Sequence, residues 1–192
     1  MAKRILLAGI LGGFALFMWG GLAHMVLGLG TVGIQNLPQQ QPVMNALQAS
    51  VAQSGFYFFP QVDAAMKVPP ERVGGPYGIM IYHSAGAGEP MTGQLVKECG
   101  LNIVVALFAA LLLSMASGLS GYVARVGFVT LLGLTVGLMT NVQYWNWYGF
   151  PLSYTIASIA IAVIGFLIVG LIAAALVKAP TPRIMAVPAK AA

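Results

Sequence analysis

The chain has 192 residues, of which 59% are apolar and only 7% charged. A surface so poor in charge excludes a soluble monomeric domain, since ordinary globular chains are about one quarter charged. The formal net charge of +5 does not point to nucleic acid, because the basic residues lie singly or in pairs beside apolar runs and form no patch.

Ile5 to Gly30 holds no Asp, Glu, Lys or Arg. As a helix it would be roughly 39 Å long, against about 30 Å of hydrocarbon, so it can cross a bilayer with tilt. The run exceeds the 7–15 apolar residues of a signal peptide and lacks a small-x-small site after it, which predicts an uncleaved helix. Lys3 and Arg4 precede it and favour a cytoplasmic N-terminus. Gly9, Gly13, Gly20 and His24 fall within about 60° of one another on this helix. A face of small residues predicts close packing against another helix, with Gly12 about 100° off it. His24 is a candidate functional residue, since ionisable groups inside a membrane are costly and usually have a purpose. A hydrogen bond to a neighbouring helix is the plainer role.

The interval 31–94 reads as a small mixed insert capping the bundle. Leu37 to Pro42 is a connector, and Pro42 can open a short amphipathic helix that stops at Gly55. Gly55-Phe56-Tyr57-Phe58-Phe59-Pro60 and Tyr77 to His83 have strand-like composition and could pair as a ribbon. The glycines of Ser84 to Pro90 make no phosphate loop, because no Lys-Ser or Lys-Thr follows. His83, Glu89 and Asp63 are conceivable metal ligands, but their spacing has no specificity.

A second membrane helix is predicted over 95–117, with Thr92 as its cap. Glu98 and Asn102 are four apart and share a face, either as a water-exposed first turn or as a proton or cation site near the mouth of the bundle. The third helix is predicted over 122–140, with Gly133 and Gly137 on a small-residue seam. Between Tyr144 and Phe150 there are five aromatics in seven residues. This run is predicted as an interhelical loop in the interfacial belt, and Trp145, Trp147 and Tyr148 are candidates for the wall of a ligand pocket. The fourth helix is predicted over 151–177, and 179–192 as a flexible cytoplasmic tail.

With both termini inside, Lys3, Arg4, Arg125, Lys178, Arg183 and Lys190 are cytoplasmic, and Lys67, Arg72 and Lys97 are outside with all four acids. That asymmetry predicts an all-α four-transmembrane-helix bundle, N-in/C-in, with an extracytoplasmic insert, as one integral membrane domain over 1–192.

Trp19-Gly20 with His24-Met25, the run Gly55 to Pro60, and Tyr144 to Pro151 resemble a group of bacterial four-helix integral membrane proteins with no established activity, so the resemblance brings no site with it. The four-span size is also similar to small redox-associated membrane proteins of the DoxX type, from which the long insert departs.

Two histidines cannot supply the several bis-His pairs of a multi-haem cytochrome, and one cysteine cannot form a thiolate cluster within a single chain. No catalytic residue, metal site or cofactor is expected. The expected function is a non-enzymatic accessory or assembly subunit of a bacterial inner-membrane complex, or a self-associating bundle. Its partners would be the lipid bilayer and a membrane protein or a second copy, not nucleic acid. The alternative is a small transporter or quinone-linked redox protein using His24, Glu98 and the 144–150 aromatics.

Overall fold

The computed structural model describes residues 1–60, 75–116 and 118–178. Asp63, proposed above as a metal ligand, and the 179–192 tail lie outside them. Among the described residues four helices are long and apolar enough to cross a membrane, which makes this a membrane-embedded protein. They are α1 (Ala2–Gly21), α3 (Met91–Met115), α4 (Tyr122–Tyr148) and α5 (Leu152–Leu176). Between α1 and α3 lie a short α2 (Gln40–Ser50) and two strands, β1 (Gly55–Phe59) and β2 (Gly78–Tyr82).

Helix boundaries differ from the expected ones where local chemistry intervenes. The first span does not run as one α-helix to Gly30. After Gly21 it widens into a π-turn, Leu22–Val26, closed by Leu27 N–H donating to the Leu22 carbonyl at 2.9 Å. Gly28 then ends it in the left-handed region at φ 65°, which favours glycine. Pro42 is the third residue of α2 rather than its first, and Gln39 precedes the helix with φ 51°. Thr92 does not cap α3: the helix starts one residue earlier, after Pro90, without a side-chain cap. The largest difference is in the aromatic run. Tyr144 to Tyr148 are the last residues of α4, not a loop. The backbone breaks at Gly149, whose φ of 71° again suits glycine, and Pro151 precedes α5.

Helix α1 lies between α3 and α5, α4 lies on α5, and α3 touches α4 only marginally. Small residues set these approaches. A Cβ at Gly13 would collide with the Ile103 backbone, reaching within 2.6 Å of its nitrogen, and one at Gly9 would lie 2.5 Å from Leu107 Cδ1. On α4, a Cβ at Gly133 would lie 2.7 Å from Phe166 Cγ, while Gly137 leaves ordinary contact distance of 3.4 Å to Ala162 and Ile159. Gly12 is buried too. Its position off the expected face does not free it, because α1 has two neighbours and therefore two packed faces. Across the α1–α5 interface Trp19 Nε1 donates to the Ile161 carbonyl at 2.9 Å.

The core is concentrated at one end. Ala8 of α1, Ala106 to Leu113 of α3, Val126 and Val129 of α4, Phe166 to Ala174 of α5 and Val177 just after it form one buried cluster. Each lies in the half of its helix nearest the α3–α4 turn. Arg125 seals that end. Its side chain is 2% exposed, Nη1 donates to the Leu119 carbonyl at 3.2 Å, and Nη2 donates to the Val177 carbonyl at 2.6 Å. One guanidinium thus ties the α3–α4 turn to the C-terminal end of α5, where free carbonyls and the helix dipole favour a cation.

At the opposite end β1 and β2 pair antiparallel, with Phe56 opposite Ile81 and Phe58 opposite Ile79. Ser84 N–H donates to Ser54 Oγ at 2.9 Å and fixes the open end of the ribbon. Phe56 and Phe58, two residues apart and so on one face, both meet Tyr148, at ring-centroid distances of 6.5 and 6.2 Å. Tyr148 meets Tyr144, which stacks on Phe150, which meets Tyr154. A continuous line of rings therefore joins the ribbon to the α4–α5 connection, which answers the marginal stability of a two-stranded ribbon on its own.

Candidate functional site

The site lies at the ribbon end of the α1–α3 interface. The two helices are closest at Gly9 and Gly13 and diverge beyond them. A Cβ at Gly20 or Gly21 would meet nothing within 4 Å. Gly20, expected on the packing face, is therefore part of a wall where the helices have already parted, although it keeps the angular position of Gly13. The gap is a cavity of about 780 Å³, within the range of small-molecule sites.

Three of the residues singled out in the sequence line this cavity together: His24 from the π-turn, and Glu98 and Asn102 from α3. Asn102 Nδ2 donates to Glu98 Oε1 at 3.0 Å, so the one-turn spacing orients the carboxylate. The other lining is mainly apolar, including Phe17, Leu22, Met25 and Leu95.

His24 is held from two sides. Its Nδ1 lies 2.9 Å from the Gly20 carbonyl, the acceptor that an α-helix would pair with the backbone N–H of His24 itself. Single π-turns of this kind are rare and recur at functional sites. The chain then reverses at Gly28, and Thr31 Oγ1 bonds back to the Gly28 carbonyl at 2.9 Å. This brings Gly30 against the imidazole so closely that a Cβ there would overlap the ring. Gly33, at φ 80°, continues the return and lies against the start of α5, where a Cβ would come 2.8 Å from Ser153 Oγ.

The aromatic candidates stand apart. None of Trp145, Trp147 and Tyr148 lines the cavity. Tyr148 belongs to the ring line under the ribbon, whereas Trp145 and Trp147 are 45% and 73% exposed on the last turns of α4. A single site built from His24, Glu98 and the aromatic run is therefore not what the fold brings together. Glu89 is engaged elsewhere, in an exposed ion pair with Lys97 at 2.6 Å. Among the described residues no three His, Cys, Asp or Glu side chains gather as a metal site.

Trp19, Arg125 and Gly30 hold structural roles beyond those expected from the sequence. Gly28 and Gly30 flanking Leu29 were the available signal for a chain reversal over His24. Trp19 and Arg125 become meaningful only once α5 is known to lie beside them. No family model, curated protein or solved structure matches the chain.

Proposed function

We propose that this is a non-enzymatic membrane protein that works by association, as an accessory or assembly subunit of a membrane complex or as a self-associating bundle. The observation that carries the reading is a set of glycines inside the spans with nothing beside them. Added Cβ atoms at Gly100 of α3 and Gly127 of α4 would meet nothing within 4 Å. A helical glycine costs roughly 1 kcal/mol relative to alanine. In lipid the return on that cost is close approach of another helix, and these two positions have none among the described residues. Native mass spectrometry from mild detergent tests it. The parent chain is expected as an oligomer or with a bound membrane-protein partner. Gly100→Leu or Gly127→Leu should dissolve the assembly and leave the melting temperature of the bundle unchanged. A parent chain that is monomeric and partner-free, or variants that keep the assembly, would overturn it.

In this reading the protein sits in a bacterial cytoplasmic membrane with both termini inside and the ribbon outside. Support comes from the charges: six of the nine Lys and Arg residues fall on the inner side, and all four acids on the outer. A Gln48→Cys variant in a Cys99→Ser background should react with an impermeant maleimide in intact cells. Reaction only after permeabilisation would reverse the orientation.

The cavity favours a second reading, a small transporter, because it places His24, Glu98 and Asn102 around space large enough for a ligand.

A further inference from the structure

The cavity has a definite hydrogen-bonding character. The Gly20 carbonyl can only accept, so His24 Nδ1 carries the hydrogen of their 2.9 Å bond. In the neutral ring, Nε2 is then an acceptor. Glu98 Oε1 accepts from Asn102 Nδ2, while Glu98 Oε2 and Asn102 Oδ1 receive no hydrogen bond from the described residues. The lining thus presents three unused acceptors, one of them on a carboxylate, against one remaining donor, the second Nδ2 hydrogen of Asn102, and no Lys or Arg. Most of the remaining lining is apolar. Met18, Met25 and Val26 at its edge are 55%, 79% and 73% exposed, and they belong to the first membrane span, so the cavity opens toward lipid.

We infer that this cavity binds a lipophilic amine, with a protonated primary ammonium at Glu98 and an apolar body along the α1–α3 gap. The ammonium brings donors and a positive charge to the Glu98 carboxylate and the Asn102 oxygen beside it, in a lining richer in acceptors than in donors. Other lipid-soluble ligands fit less well. A quinone offers carbonyl acceptors, which would find a single free N–H, that of Asn102, among three acceptors. A fatty acid would be repelled by Glu98. An ethanolamine phospholipid carries the ammonium, but its phosphate would find no cation in the lining, and neighbouring Lys97 is paired with Glu89. The inference is independent of the assembly reading, since it rests on the inside of one chain.

The test uses the full chain in phosphatidylcholine nanodiscs with radiolabelled dodecylamine as the probe. One saturable site per chain is expected. Glu98→Gln, which keeps the shape and the Asn102 bond, should weaken binding by about tenfold or more, the usual scale of a charge-assisted hydrogen bond. His24→Phe, which keeps a ring against Gly30, should weaken it by about threefold to tenfold. Glu89→Gln removes an acid outside the cavity and should leave the affinity unchanged, and melting curves of all variants should overlay that of the parent chain. Glu98→Asp retains the charge and guards against misfolding of the glutamine variant: it should bind more tightly than Glu98→Gln. Non-saturable uptake, equal affinity in Glu98→Gln, or equal weakening by Glu89→Gln would overturn the inference, the last by exposing a mere membrane-charge effect. Loss of dodecylamine binding when half the lipid is phosphatidylethanolamine would also overturn it, in favour of a lipid headgroup as occupant.

Discussion

Arg125→Leu is expected to lower the stability of the bundle by about 3 kcal/mol, on the scale of losing two charge-assisted hydrogen bonds from a buried side chain. The side chain is 2% exposed and makes charge-assisted bonds to two carbonyls, Leu119 at 3.2 Å and Val177 at 2.6 Å. Both acceptors lie at segment ends, where no helical N–H remains to meet them. Leucine fills part of the volume and supplies no donor, so both carbonyls are left without their partner. Arg125→Lys should recover little. The fork of the guanidinium reaches two acceptors on two segments, whereas an ammonium on a flexible stem is a single point. Thermal melting in detergent measures the loss, and maleimide labelling at position 48 checks that removing one basic residue has not reversed the topology. A melting curve for Arg125→Leu that overlays the parent curve would mean that the tie contributes nothing.

A pair of alanine substitutions on adjacent residues should have opposite signs. Gly13→Ala places a methyl against backbone, 2.6 Å from Ile103 N and 2.8 Å from the Asn102 carbonyl, and backbone cannot swing aside. The helices must separate, at about 1–3 kcal/mol for overpacking. Gly13→Leu adds more volume at the same point and should cost more than the alanine. Gly12→Ala places its methyl 3.5 Å from Ala106 Cβ and 3.5 Å from Val169 Cγ1, which is ordinary contact. It should be neutral or gain up to about 1 kcal/mol from helix propensity. Gly12→Leu, by contrast, has no room between α3 and α5 and should be destabilising. Detergent melting of the alanine pair decides the matter: equal curves would mean that α1 and α3 do not cross at Gly13.

How much of this was readable beforehand follows from which interactions are local. The four spans are legible because lipid requires long apolar helices whatever their partners, and Gly9 and Gly13 because close crossings need small side chains. The ribbon is legible from aromatic and β-branched composition between turn residues. The aromatic run is a different case. Its composition reports an interface or a strand, while its backbone continues α4 until Gly149, and nothing in Tyr144 to Tyr148 itself interrupts a helix. The cavity was half legible. His24, Glu98 and Asn102 stand out as polar groups in apolar helices, but the divergence that turns Gly20 from a contact into a wall depends on the crossing angle of α1 and α3. That angle is a property of two helices together.

The uneven distribution of the core has a mechanical consequence. Helices α1 and α3, packed together toward the Arg125 end and parted beyond Gly13, behave as levers, with the fulcrum at that end. A helix of 25 residues is about 38 Å long, so a rotation of about 5° at the clamp moves its far tip by about 3 Å. Glu98 lies about 26 Å along α3 from the clamped end and moves by about 2 Å, and the π-turn after α1 carries His24 opposite it. Side pressure from the surrounding lipid, which differs between thick and thin or curved and flat bilayers, therefore acts with greatest leverage on the width of the cavity and least on the seal.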